Sequence, residues 1–102
     1  MRQYDVFRNP TPRSRKAIPF IVVLQHDVVA DTDSVVVAGL APALKRPPAR
    51  LYPDFTIEGR LYTLLTPDLS SFPLATLQQC VASLRTEWAR IDGALDILFT
   101  GI

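Results

Sequence analysis

The clearest pattern of apolar and polar residues lies between residues 84 and 102. Apolar residues recur there at alternating steps of four and three, at Leu84, Trp88, Ile91, Leu95 and Leu98, with Ala94 and Phe99 beside them. The opposite face is polar and consists of Arg85, Thr86, Glu87, Arg90, Asp92, Gly93 and Asp96. This spacing is typical of an amphipathic α-helix and predicts one here. Glu87 and Arg90 stand one turn apart and are expected to form a solvated ion pair.

The predicted helix runs into Thr100, Gly101 and Ile102. In one interpretation these residues only stop the helix: Gly101 takes the left-handed conformation, and Ile102 folds back onto Ile97 in a Schellman motif. In the other interpretation they form an exposed surface that contacts a partner. Helix physics alone does not decide between the two.

Shorter patterns before the helix predict β-strands. They lie at residues 3–7, 20–24, 35–38, 51–57 and 60–65, with a further extended piece at 69–75 that bends at Pro73. The run at 20–24 is rich in β-branched residues and is expected to be a central strand, buried on both faces. Glu58 and Gly59 have the spacing of a tight hairpin turn between their strands.

Glycine and proline predict where some of these elements end. Gly39 is expected to end the strand at 35–38. Three prolines predict an irregular segment at 40–50, which Leu40 and Leu44 would partly anchor.

Two further breaks follow before the main helix. Residues 66–68 predict a turn, and Thr76 with Gln79 has the spacing of a capping box, which predicts a helical turn there. About five short antiparallel strands followed by one C-terminal helix indicate an α+β domain. Its simplest form is a curled sheet or partly open barrel with the helix packed on it.

Composition narrows the class of protein. The 102 residues predict a single domain, 1–102, and the net charge of +1 gives no electrostatic footprint for nucleic acid. Cys80 has no second cysteine to pair with and is expected to be a small buried or half-buried hydrophobe. Because 48% of the residues are hydrophobic and many lie on one helix, we expect a dimer built on the helix face.

The first part of the chain resembles a targeting signal only superficially. A basic start precedes an apolar run at residues 17–24, but this run is only eight residues long and has no small-residue cleavage site after it. A membrane span needs about twenty apolar residues. The sequence therefore favours a cytoplasmic protein without a membrane partner.

Candidate catalytic residues are few. His26 could act as a general base beside Asp27, and Arg13 or Arg15 could stabilise a phosphorane-like transition state, which would make a small ribonuclease. Nothing in the spacing fixes their geometry, so surface turn residues are the favoured interpretation.

The same segment offers a candidate metal site. His26, Asp27, Asp31 and Asp33 are close in sequence, but one histidine with flexible carboxylates is a poor ligand set. We therefore expect no metal and no cofactor.

Five segments, taken together and in order, carry a resemblance to a known family. They are QYDVF at 3–7, VLQHDVV at 23–29, LYP at 51–53, SFP at 71–73 and LFTGI at 98–102. With these segments the chain resembles the CcdB toxins of type II toxin–antitoxin modules over nearly its whole length. The resemblance implies an SH3-like, partly open antiparallel β-barrel with a C-terminal α-helix. It also implies a homodimer whose helices meet near the two-fold axis.

The resemblance further implies a protein that is not an enzyme. CcdB toxins bind the DNA gyrase A subunit and trap the complex in which DNA has been cut, and a CcdA-like antitoxin neutralises them. Operator DNA would be bound only indirectly, through the antitoxin. The implied gyrase-binding residues are Thr100, Gly101 and Ile102, with Thr100 in place of the family's aromatic residue. The implied antitoxin-binding residues are Gln3, Tyr4, Phe7 and Asp96.

Two alternatives stay open at this point. A messenger-RNA endoribonuclease of the MazF and Kid type would share the barrel and the dimer. A non-toxic, degenerate homologue would retain only the binding of an antitoxin.

Overall fold

The computed structural model describes residues 1–27 and 32–102, which form one antiparallel sheet and one helix. The strands are β1 (Asp5–Arg8), β2 (Phe20–Val23), β3 (Ser34–Pro42), β4 (Asp54–Ile57), β5 (Arg60–Pro73) and β6 (Cys80–Ser83), and the helix is α1 (Trp88–Thr100). Short 3₁₀ turns at Leu74–Thr76 and Arg85–Glu87 precede β6 and α1. The strand order is β4-β5-β3-β2-β1-β6. This nearly closed sheet with a C-terminal helix confirms the predicted α+β, SH3-like barrel.

The sheet separates two clusters of buried side chains. The larger contains Tyr4, Val6, Phe20, Val22, Ala38, Leu40, Phe55, Ile57, Tyr62, Leu64, Leu84 and Ile91, and the smaller contains Phe7, Ile21, Val23, Val35 and Val37. Consecutive residues of β2 alternate between the clusters because side chains along a strand point to opposite faces. All four residues of β2 are buried, and β2 lies between β1 and β3, which confirms the predicted central strand.

The hairpin between β4 and β5 was also correctly predicted. Ile57 pairs with Arg60 across a two-residue turn. Glu58 and Gly59 have φ angles of 51° and 81°, which are the positive values of a type I′ turn.

Gly39 does not end its strand, contrary to the prediction. β3 continues through it to Pro42, and the pairing with β5 shifts register between Ala38 and Gly39. A Cβ at Gly39 would lie 2.8 Å from Ile18 Cγ2 and 3.1 Å from Asp68 Oδ2. Glycine is therefore needed here for close packing and not to stop the strand.

The register shift also explains the predicted turn at residues 66–68. Ala38 pairs with Leu69 and Gly39 pairs with Leu65, so these three residues have no partner on β3. They form a bulge inside one continuous strand. The extended piece predicted at 60–65 and residues 69–73 of the piece predicted at 69–75 belong to β5, whereas residues 74 and 75 lie in the 3₁₀ turn that follows.

The irregular segment begins later than predicted, because residues 40–42 belong to β3. Leu40 is fully buried as expected, whereas the Leu44 side chain is 51% exposed and the residue is held by its backbone N–H, which donates to Thr63 Oγ1 at 2.9 Å. Pro42 is tolerated because the pairing of β3 with β2 ends at Leu40, so that β3 has a partner strand on only one side at Pro42.

The helical turn predicted from Thr76 and Gln79 is wrong. A 3₁₀ turn ends at Thr76, and the chain then forms β6, which pairs with β1. Cys80 is exposed at the start of this strand, so the expectation of a buried cysteine is also wrong. Pairing with β1 is a tertiary interaction, which outweighs a weak local capping signal.

Helix α1 is held to the barrel by apolar and polar contacts. Ile91 and Ala94 are buried, whereas Trp88 is 56% exposed despite its place in the apolar stripe. The Tyr4 hydroxyl donates a hydrogen bond of 2.6 Å to Asp92 Oδ1. Arg90 donates to the Asp54 carbonyl at 2.8 Å, lies over the Phe55 ring, and forms the predicted pair with Glu87 at 3.3 Å.

Within the described residues, no helix has the length and apolarity required to cross a bilayer.

The contact between Tyr4 and Asp92 gives a first prediction. Tyr4→Phe keeps the buried ring but removes the hydroxyl, leaving Asp92 without this donor. We expect the unfolding free energy to fall by about 1–3 kcal/mol in urea denaturation. Tyr52→Phe is the matched control, because the structure gives the Tyr52 ring a contact with Arg46 that phenylalanine can retain.

The same pair predicts a pH dependence. Burial, together with the hydrogen bond and negative charge of Asp92, raises the pKa of the Tyr4 phenol above its ordinary value. A folded-state pKa above that of the unfolded chain leaves stability intact below about pH 10 and lowers it above that value. Tyr4→Phe should lose part of this alkaline destabilisation, and an unchanged pH profile would contradict the assignment.

Candidate protein-interaction site

The C-terminal end of α1 is closed by a single backbone hydrogen bond. Gly101 has a φ of 81°, and its N–H donates to the Ile97 carbonyl at 3.0 Å. The Thr100 hydroxyl donates back to the Asp96 carbonyl at 2.6 Å. This single backbone bond is the αL motif, and the predicted Schellman motif is not formed. Ile102 therefore does not fold back onto Ile97.

Large apolar side chains remain exposed at this end of the helix. Phe99 is 68% exposed and Ile102 is 84% exposed. Thr100 and Gly101, which lie between them, are exposed as well. The left-handed conformation at Gly101 favours glycine. The four residues form an uncovered patch with an apolar side chain at each end.

A groove adjoins this patch. It has a volume of about 260 Å³ and an almost entirely apolar lining, formed by Leu24, Gln25, Val36, Leu69, Leu95 and Phe99. We call these residues the helix groove. Leu24 and Leu69 were not singled out from sequence, because the register shift in β5 conceals the face on which Leu69 lies. Val36 is exposed between two buried valines of β3, and three identical residues in a row give no sequence signal for which of them faces outward.

The residues expected to bind antitoxin are only partly brought together. Gln3 Nε2 donates to the Leu24 carbonyl at 2.9 Å, which places Gln3 next to the helix groove. Tyr4 is bonded to Asp92, one turn before the exposed Asp96. Phe7 is buried in the smaller cluster, on the other face of β1 from Tyr4.

The candidate metal site that the sequence analysis weighed has no support in the described residues. Asp31 lies outside them. Among residues 1–27 and 32–102, no cluster of three or more metal-binding side chains is found. The Asp27 carboxylate accepts a hydrogen bond from the Gln3 N–H at 2.7 Å and lies 3.9 Å from Arg2 Nε. Asp27 thus tethers the start of the chain to the β2–β3 connection.

The residues of the ribonuclease hypothesis lie far apart. Arg13 and Arg15 belong to the connection between β1 and β2, whereas His26 follows β2. Successive connections of antiparallel strands lie at opposite ends, so the four residues of β2 separate them by about 13 Å of backbone. His26 lines a pocket together with Arg85 and Trp88, and neither Arg13 nor Arg15 borders this pocket.

Comparison with known protein families gives one finding. The family model described as CcdB protein matches residues 3–101. That range contains all six strands and the whole helix. A search of curated proteins found no match. Residues 28 and 29 of the VLQHDVV segment lie outside the described structure.

Proposed function

The chain belongs to the CcdB family of toxins from toxin–antitoxin modules, and we propose that it binds the DNA gyrase A subunit and traps the complex in which DNA has been cut. Thr100, Gly101 and Ile102 are the proposed gyrase-binding residues. The observation that carries the proposal is the exposure of Phe99 and Ile102, at 68% and 84%. Exposed apolar residues that converge on one patch are typical of a protein-binding hot spot.

The αL turn at Gly101 supports a recognition role. Its single hydrogen bond already closes the helix, so the Ile102 side chain is not needed for the stop. Gly101 ends the helix without the fold-back of Ile102, and in the proposed complex Ile102 contacts the partner. Thr100 has less area than an aromatic residue, but Phe99 supplies an exposed ring one position earlier.

We further propose that a CcdA-like antitoxin neutralises the protein by covering part of the same end. Gln3 and Asp96 are partly or fully exposed and are proposed as direct contacts. Tyr4 and Phe7 are 9% and 5% exposed. In the proposed complex they act by fixing the position of β1. Binding to operator DNA would then occur through the antitoxin, because the chain carries a net charge of only +1.

A homodimer is proposed to bury the helix groove. Its lining is almost entirely apolar, and it includes the exposed ring of Phe99, which is typical of the core of a subunit interface. We also propose that residues 1–102 act as one domain in each protomer, since one sheet runs from β1 to β6 and α1 packs on it.

The dimer leads to a direct prediction. Sedimentation velocity at micromolar protein concentration should give the mass of two chains of 11.4 kDa. Leu95→Ser introduces a hydroxyl into the helix groove and should shift the equilibrium toward monomer. Leu44→Ser is the matched control, because Leu44 is also an exposed leucine but does not line the helix groove. A wild-type monomer under these conditions would contradict the dimer.

The protein is proposed to act without catalysis of its own, and this separates it from the ribonuclease alternative. His26→Ala and Arg13→Ala should each leave growth inhibition within about a few-fold of wild type, because neither side chain would carry acid–base chemistry. Growth of cells expressing each variant measures this. Loss of toxicity in a His26→Ala protein that stays folded would favour the ribonuclease.

A supercoiling assay tests the proposed function. Purified protein added to gyrase and relaxed plasmid should inhibit supercoiling, and an added CcdA-like antitoxin should restore it. A folded dimer that binds antitoxin but leaves gyrase active would indicate the non-toxic homologue.

A further inference from the structure

A second groove lies at the opposite end of β1 from Tyr4. It is formed by the start of the β1–β2 connection and the segment that leads into β6. Its volume is about 390 Å³, and it is lined by Arg8, Asn9, Pro10, Arg15, Thr76, Gln78 and Gln79. We call it the basic groove. None of its lining residues belongs to the patch at the helix end or to the helix groove.

The Arg8 side chain is held in place by neutral partners. Its Nε donates to Gln79 Oε1 at 3.1 Å, and its guanidinium carbon lies 5.9 Å from the centre of the Phe20 ring. The Arg8 backbone N–H also donates to the Gln79 carbonyl at 3.1 Å. These contacts join the two walls of the groove and orient the guanidinium without neutralising it.

Arg15 is oriented in a similar way. Its Nε donates to the Asn9 carbonyl at 2.8 Å, and Nη2 donates to the Pro10 carbonyl at 3.3 Å. Asn9 is only 3% exposed, and its side-chain amide donates to Ser14 Oγ and to the Ile18 carbonyl at 2.9 and 2.8 Å. Asn9 thus braces the connection from which Arg15 extends.

The groove therefore presents oriented positive charge without a matching acid. No aspartate or glutamate is among its lining residues. Across the described residues, ion pairs within 4.0 Å involve Arg2 and Arg90, and neither lies in this groove. A guanidinium whose position is fixed in advance loses less conformational entropy when it binds an oxyanion. Carboxylates suit its planar fork of donors.

We propose that the basic groove binds the carboxylate side chains of an acidic, extended segment of a partner protein. The segment would continue along β6, which begins at Cys80 directly after Gln79 and pairs with β1 alone among the described strands. The outer edge of β6 can accept a further strand by backbone hydrogen bonding. This proposal does not depend on gyrase binding.

A protein segment fits the groove better than nucleic acid does. Binding of single-stranded nucleic acid combines positive charge with exposed aromatic rings on which bases stack. The groove lining contains no aromatic residue, and the nearby Phe20 ring is 4% exposed. Gln79 accepts from Arg8 through Oε1, and Gln78 donates one Nε2 hydrogen to the Ala75 carbonyl. Both amide groups retain hydrogens that can bind peptide carbonyls and carboxylates.

The test uses a fluorescent peptide in which Glu alternates with Val. Anisotropy is measured with the wild-type protein, with Arg8→Gln and with Arg15→Gln, and Arg60→Gln is the charge-matched control from the β4–β5 hairpin. Each groove variant should weaken binding by roughly tenfold, the usual effect of losing a charge-assisted hydrogen bond, while Arg60→Gln binds as the wild type does. A peptide with Gln in place of Glu should not bind.

Nuclear magnetic resonance of the wild-type protein locates the site without any variant. The side-chain amide signals of Gln78 and Gln79 should shift when the acidic peptide is added. Three results would overturn the proposal: no binding of the peptide, equal losses in Arg60→Gln and the groove variants, or tighter binding of a single-stranded oligonucleotide with the same dependence on Arg8 and Arg15.

Discussion

Removal of Gly101 and Ile102 should abolish toxicity and gyrase inhibition while leaving the fold nearly unchanged. Ile102 is 84% exposed, and its loss uncovers little apolar core. Loss of the hydrogen bond from the Gly101 N–H to Ile97 frays the last turn at a cost of about 1 kcal/mol. The melting temperature should therefore fall by roughly 4–8 °C. Growth assays, supercoiling inhibition and thermal unfolding measure the three properties.

Leu44→Ala is a suitable control for this truncation. Leu44 is an exposed apolar residue, 51% accessible, outside the proposed gyrase surface. Its replacement should preserve gyrase inhibition, which would show that loss of an exposed apolar side chain elsewhere is harmless. A truncated protein that inhibits gyrase at wild-type concentrations would mean that Gly101 and Ile102 merely end the helix.

Ile91→Ala should produce the largest loss of stability among substitutions in the helix. Ile91 has no exposed area and belongs to the larger buried cluster. Truncating such a side chain removes its transfer free energy and leaves a cavity, which together cost about 2–5 kcal/mol. The melting temperature should fall by roughly 10–30 °C, or the cooperative transition should be lost. Differential scanning calorimetry measures either result.

Phe99→Ala provides the comparison on the same helix. Phe99 is larger than Ile91 but 68% exposed in the protomer. We expect its replacement to change the stability of the protomer by no more than about 0.5 kcal/mol, since it fills no core space. Its effect should appear in dimer dissociation and gyrase binding. Equal destabilisation by both substitutions would mean that the helix packs differently from the structure.

The sequence predicts correctly those elements whose conformation depends on neighbouring residues. The positive φ angles at Glu58 and Gly59, the buried strand β2 and the amphipathic helix each follow from a few neighbouring residues. The course of β5 does not, because its bulge at residues 66–68 is determined by pairing with β3. Strand β6 was not predicted, and a helical turn was expected from Thr76 and Gln79 instead, because its pairing partner β1 is distant in sequence.

The candidate site was predicted in part. The tripeptide at 100–102 was singled out from the sequence through family resemblance. The type of turn that it forms, an αL motif and not a Schellman motif, did not follow from the sequence. The helix groove was not predicted, because Leu24, Val36 and Leu69 come from separate strands and connections that only the folded sheet brings to α1. Helical periodicity also assigned Trp88 to the buried face. Leu84 and Ile91 on either side of it are buried, but residues 85–87 form a 3₁₀ turn and α1 begins only at Trp88, so the α-helical spacing predicted from Leu84 is broken there.

The most direct test of the proposed function is a DNA-cleavage assay with purified gyrase, ATP and supercoiled plasmid. If the protein traps the cleaved complex, protease and detergent treatment should release linear DNA that accumulates with protein concentration. The protein without Gly101 and Ile102 should release none above background. Absence of linear DNA with a folded wild-type protein at saturating concentration, together with cleavage of messenger RNA by the same preparation, would contradict gyrase poisoning and favour a ribonuclease.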